Sequence, residues 1–159
     1  MAKASPKKKS PTFDIAIDAD VLPNGVSESE LSELFARAWS LSAQRPDTLM
    51  QKTLAVDVHL VDDEQISKLN QQHMKHAGPT DVLSFPLGEI DPEREAFHLG
   101  EIIVSLDTAR REAAERKLPE SEELNRYIVH GFLHLLGYDD DTAARRKAMF
   151  KVQEAALKG

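Results

Sequence analysis

His130 and His134 stand four residues apart in the run His-Gly-Phe-Leu-His-Leu-Leu-Gly-Tyr-Asp-Asp over 130–140. The run is apolar nearly all round and reads as a buried helix stopped by Gly137, a residue suited to the left-handed turn after a helix. On a helix, two residues four apart share one face with their rings side by side. That spacing offers two imidazole nitrogens to one zinc ion, as in the H-E-x-x-H motif. Beyond the glycine, Asp140 brings an oxygen ligand from the following turn. His130, His134 and Asp140, with a fourth position open, describe a catalytic zinc site rather than a structural one. The competing reading is a pair of core histidines with satisfied rings, and the turn and the carboxylate weigh against it. Gly131 stands where a peptidase would carry its Glu general base. Either a metal-activated water attacks unaided, or a base comes from elsewhere. A small residue there would also leave room for a bulky substrate.

These residues need elements to position them. Phe13, Ile15 and Ile17 alternate with polar or small neighbours, which predicts a strand. Ser27-Glu28-Ser29-Glu30 is a capping box, and Leu31, Leu34, Phe35, Ala38 and Leu41 follow at helical spacing. Trp39 beside that stripe is expected in the core. Leu54, Val56, Val58 and Leu60 predict a second strand, with Asp57 and a surface His59 on its other face. Asp62 is placed to cap a short helix carrying Ile66 and Leu69. His73 to Gly78 is read as a polar loop. Val82, Leu83 and Phe85 form a strand between Pro79 and Pro86, with Asp81 either orienting a histidine or fixing the loop. An exposed turn over 91–95 precedes a strand over 98–105 whose contiguous Ile102, Ile103 and Val104 suit a central position covered on both faces.

Three helices complete the chain: one capped by Asp107, one opened by Pro119 and an acidic first turn that carries the histidines, and one starting near Asp141-Thr142. The last is expected to present Ala148, Met149 and Val152 inward. The fold class expected is α+β: a single domain over 12–159, with a small mixed sheet against about five helices. The histidine helix lies near its centre. Residues 1–11 carry Lys3, Lys7, Lys8 and Lys9 with Pro6 and Pro11 and are expected to be a disordered basic arm.

The whole composition narrows the function. The chain has 159 residues, no Cys and a net charge of −7. Without Cys there is neither a disulfide framework nor a thiolate site, so any metal uses His and carboxylate, in keeping with a cytoplasmic location. No apolar run approaches the ~20 residues that span a bilayer. The acidic balance argues against general nucleic-acid binding, though a local basic groove on an acidic protein still suits RNA.

Two stretches resemble one family. Residues 130–139 are similar to the signature of the YbeY family, the metal-dependent endoribonucleases of bacterial rRNA maturation. Pro-Thr-Asp-Val-Leu-Ser-Phe-Pro over 79–86 is similar to its other hallmark. Leu69-Asn70 before it and Gly100–Ser105 after it fall in the family's order, so the resemblance runs from Val56 to the C-terminus. It implies a zinc-dependent single-strand endoribonuclease that processes the 3′ end of 16S rRNA and serves ribosome quality control. Its partners would be rRNA and the ribosome or its small subunit, in the cytoplasm, with no membrane and no DNA.

Two positions depart from the family pattern. Asp140 aligns with the family's third metal-binding His; its added negative charge weakens the ion's Lewis acidity and opens the site to a harder divalent ion than zinc. Met74, between His73 and Lys75, aligns with an Arg the family is thought to use on RNA. His73, Lys75 and Ser84 are the substrate-binding candidates. The alternatives are a catalytically weakened or inactive ribosome-assembly factor of the same fold, and a metzincin-like metallopeptidase, against which Gly131 counts.

Overall fold

The computed structural model describes residues 11–45, 52–74 and 81–159, with the backbone alone for His73 and Met74. Residues 1–10 of the expected arm, the substrate candidate Lys75 and the side chain of His73 lie outside the described residues. Pro11 is described, and it is buried at the head of the first strand.

The elements are β1 (Thr12–Ala19), α1 (Glu28–Leu41), β2 (Thr53–Val61), α2 (Asp63–Met74), β3 (Val82–Asp91), β4 (Ala96–Ser105), α3 (Leu106–Arg116), α4 (Glu120–Leu136) and α5 (Ala143–Lys158). The four strands form one mixed sheet in the order β1-β2-β4-β3, parallel except for β3, which runs antiparallel to β4. Among the described residues this is the α+β arrangement of a small mixed sheet and five helices that the pattern predicts.

The central place of β4 explains its contiguous apolar run. Ile102 and Val104 face the main core with Phe13, Val56, Phe35 and Phe132, whereas Ile103 faces a smaller cluster with Ile66 and Leu83. Helices α1 and α4 therefore cover one face and α2 part of the other. Where α1 meets α4, the Phe35 and Phe132 rings stack with centroids 4.2 Å apart, and Phe13 meets Phe132 edge-on at 5.5 Å. Trp39 is fully buried beside them. Such aromatic pairs add about 0.5–1.5 kcal/mol beyond area burial and fix the side of α4 opposite the histidines.

Several local expectations change. β3 continues through Pro86 to Asp91 because it is an edge strand, where a missing N–H breaks no ladder; the register shifts between Pro86 and Glu89. Ser105, not Asp107, caps α3 by accepting from Thr108 N, while Asp107 accepts from Asp63 N. Helix α2 extends to Met74, so His73 and Met74 belong to its last turn rather than to a loop. Leu41 and Ala148 are exposed; α5 buries Met149 as expected, with Val152 half-buried against the core, and adds Gln153 and Ala156 to the row. In the turn after β3, Arg94 folds back on the sheet, with Nη1 2.6 Å from Asp57 and Nε 3.0 Å from Asp14.

Candidate metal centre

Helix α4 begins with Glu120, Glu122 and Glu123 at its positive end, which their charge favours. It ends in a Schellman turn: Gly137 N–H donates to His134 O at 3.0 Å and Tyr138 N–H to Leu133 O at 3.1 Å. Gly137 sits at φ +112°, where a side chain would be strained. The turn is anchored from outside as well. The Tyr138 hydroxyl, buried, accepts from Ala43 N–H at 3.0 Å, just past the end of α1.

This helix packs so closely on the sheet that two glycines are required. A Cβ on Gly131 would stand 2.7 Å from Ile102 Cγ2 and 3.0 Å from Ser84 Oγ. A Cβ on Gly100 would stand 2.5 Å from Phe85 O and 2.6 Å from Leu135 Cδ2. Gly131 therefore admits the sheet, not a bulky substrate. A Glu at this position would point into β4, so the residue's smallness reflects packing.

The histidines emerge beside this contact, half-buried and facing β3. His130 Nε2 and His134 Nε2 stand 3.2 Å apart. Asp140 Oδ2 lies 3.6 Å from the first and 3.7 Å from the second. Each ring is hydrogen-bonded at its other nitrogen: His134 Nδ1 lies 3.0 Å from Tyr138 O, and His130 Nδ1 lies 2.8 Å from Gln153 Oε1 on α5. A ring that donates through Nδ1 presents a lone pair at Nε2. Two such lone pairs and a carboxylate oxygen, all within 4.8 Å of one another, can converge on one metal ion. The donor set therefore fits a divalent ion of the zinc class with positions left open.

The triad forms one wall of a pocket of about 460 Å³, facing Val82, Leu83, Ser84 and Pro86 of β3 and bordered by Asp81 and Asp139. Ser84 lines this pocket, but its hydroxyl donates to Gly131 O at 3.1 Å and so ties β3 to α4. Asp139 Oδ1 accepts from Asp140 N–H at 2.8 Å and shapes the turn. Asp141 pairs with Arg145, while Thr142 caps α5. His59 lies apart from the triad, between Asp18 and Glu101 on the sheet's other face.

Sequence spacing brings out His130, His134 and Asp140, but not Gln153, Gly100 or the carbonyl of Tyr138. Gln153 leaves one trace, a polar residue at the centre of the buried stripe between Met149 and Ala156.

The family described as Endoribonuclease YbeY matches this chain over residues 18–159. A protein of that name from Moorella thermoacetica is 47% identical over 111 residues, which cover 65% of this chain and 71% of the relative. That from Rhodopirellula baltica is 36% identical over 154 residues, 92% of this chain and 75% of the relative. With the protein from Persephonella marina the identity is 40% over 100 residues, and the chain spans 65% of that relative's length, just under two thirds. Among solved structures, the solution structure of TM1509 from Thermotoga maritima is similar at TM-score 0.55 and 29% identity, covering 91% of this chain and 87% of that one.

Proposed function

This chain belongs to the endoribonuclease YbeY family, and from that membership we propose that it hydrolyses RNA phosphodiesters with a divalent metal held by His130, His134 and Asp140. The observation that carries the reading is the convergence of those three ligand atoms on the wall of an open pocket. Zinc is the ion that two imidazoles and a carboxylate favour, and the carboxylate leaves room for a harder divalent ion. RNA is the substrate class that the relatives' name supports; single-stranded rRNA, the ribosome or its small subunit as partner and the cytoplasm as location follow from the family resemblance.

When bound, such an ion polarises a phosphoryl oxygen and makes water a better nucleophile at neutral pH. The protein's own groups do the rest. Tyr138 O and Gln153 hold the rings so that both Nε2 atoms face the pocket, and Asp140, the most exposed of the three, offers its carboxylate from the turn. No glutamate stands one residue after His130, so a proton from the attacking water has to leave through another group. Asp81 and Asp139 border the pocket and are the carboxylates placed to take it. Pro86 and Leu83 give the pocket an apolar side against which a ribose or base can rest.

A second reading, an assembly factor of the same fold without chemistry, rests on Met74 and Asp140 standing where the family has Arg and His. A metallopeptidase is a weaker reading, because Gly131 is packed against Ile102 and no Glu base can occupy its place. Incubating the protein with a single-stranded RNA, with and without chelator and with zinc or manganese restored, separates the readings. Cleavage lost on chelation and regained with metal supports the proposal. RNA binding without cleavage under every metal supports the assembly factor, and cleavage that ignores the chelator refutes the metal mechanism.

A further inference from the structure

The two metal-facing rings are oriented by different kinds of acceptor. His134 donates to a backbone carbonyl, which can only accept, so its proton is fixed on Nδ1 without further help. His130 meets the side-chain amide of Gln153, which could present either its oxygen or its NH2. With the NH2 turned inward, the ring would have to accept at Nδ1 and carry its proton on Nε2, where it would block the metal. Something must hold the amide the right way round.

The neighbouring residue does so. Gln153 Nε2 donates to Glu154 Oε2 at 3.0 Å. Glu154 is clamped by Arg126, whose Nε and Nη2 each lie 3.0 Å from its carboxylate oxygens. Arg126 is in turn paired through Nη1 with the fully buried Glu123, which also accepts from Tyr127 Oη at 3.0 Å. A carboxylate paired with a guanidinium only accepts, so the end of Gln153 that faces Glu154 is the NH2 and the end that faces His130 is the oxygen. Gln153 is buried, 5% exposed, in the inward row of α5 between Met149 and Ala156, which favours this pairing over hydration.

We infer that Gln153 is a positioning residue for the metal centre: held by Glu154 and Arg126, it keeps the proton of His130 on Nδ1 and so leaves Nε2 free to bind the ion. This rests on the reading of His130 as a metal ligand. The chain Glu123–Arg126–Glu154–Gln153–His130 joins α4 to α5 and makes the ligand's tautomer depend on how the last helix docks.

The test compares wild type with Gln153→Leu, which removes the acceptor at similar volume, and Gln153→Glu, which keeps one. Zinc affinity is measured by competition with a chelator. The tautomer of His130 is read from long-range proton–nitrogen spectra of the metal-free protein at a pH where the rings are neutral. Zinc should bind about 10–100-fold more weakly to Gln153→Leu, the usual loss when a ligand's hydrogen-bond partner is removed, and more tightly to Gln153→Glu than to Gln153→Leu, because Glu keeps an acceptor for Nδ1 although it loses the donor to Glu154. His130 should carry its proton on Nδ1 in wild type and divide it between both nitrogens in Gln153→Leu. Unchanged affinity in a folded Gln153→Leu variant, or an Nε2 proton on His130 in wild type, overturns the inference. Should wild type bind no zinc, the metal assignment falls by itself, and the nitrogen signals still decide whether Gln153 sets the tautomer. They decide it equally if Gln153→Leu fails to fold, because the wild-type tautomer alone can contradict it.

Discussion

The carbonyl of Tyr138 accepts a hydrogen bond from His134 Nδ1 at 3.0 Å, so the residue that closes helix α4 also aims the ring it closes over. The same residue's hydroxyl is held by Ala43 N–H. Helix end, ligand orientation and the contact with α1 are thus one structural unit, and Asp140 follows it by two residues. Disturbing the turn should disturb the metal site even where no ligand is touched.

Gly137→Ala tests that coupling. A side chain at φ +112° costs about 1–3 kcal/mol and moves the Tyr138 carbonyl. Denaturant unfolding should show a loss of that order, and zinc titration of the folded variant should show weaker binding. A variant that is destabilised but binds zinc at full strength would separate the turn from the site.

Gly131→Ala tests the close approach of α4 to the sheet. The added methyl would meet Ile102, Ser84 and Val82 within 2.7–3.2 Å, and overpacking of this kind costs about 1–3 kcal/mol. The thermal midpoint should fall. A midpoint equal to that of wild type would mean that the helix has slack against β3 and β4.

Much of this architecture is legible in the sequence because its determinants are local. The i,i+4 histidines, the glycine that stops their helix, the Ser27 cap and the two-sided apolarity of β4 need only near neighbours or periodicity to be read. What escapes has distant partners. Gln153 is 23 residues from His130, and Arg94 is 80 from Asp14. No spacing rule links either pair. The face of α5 is read correctly at Met149 and Val152 and wrongly at Ala148 for a related reason: its buried row includes Gln153, a polar residue whose value comes from a partner on another helix, so hydrophobicity alone points to Ala148. Gly100 likewise reads as an ordinary strand residue until Leu135 is seen against it.

The polar relay behind His130 makes a pH prediction. Burial alone would raise the Glu154 carboxyl, but hydrogen bonds from Arg126 and Gln153 outweigh it and hold that group below the usual carboxylate range. Its folded value is lower than its unfolded one, so its contribution is fully present above about pH 4.3 and fades as pH falls through the folded value. Glu154→Gln should therefore be less stable than wild type at neutral pH, by about 1 kcal/mol, and the two should converge in acid. Urea unfolding across a pH series checks this; a difference that grows on acidification would contradict it.

Three consecutive carboxylates make the third ligand a separate question. Asp140 Oδ2 faces both rings, Asp139 is bonded to the turn, and Asp141 pairs with Arg145. Among Asn substitutions at the three positions, Asp140→Asn should lower metal affinity far more than the others, and Asp140→His should retain it. Greater damage from Asp139→Asn or Asp141→Asn would move the ligand to that residue.

The central claim is that His130, His134 and Asp140 together hold one divalent ion, and metal content tests it most directly. Protein purified without chelator and dialysed against trace zinc is analysed for metal per chain, beside His134→Ala handled identically. Removing one ligand of three leaves an open, weak site. The account predicts about one ion per chain in wild type and near none in His134→Ala. Equal occupancy in the two proteins, or no metal in either, would contradict it.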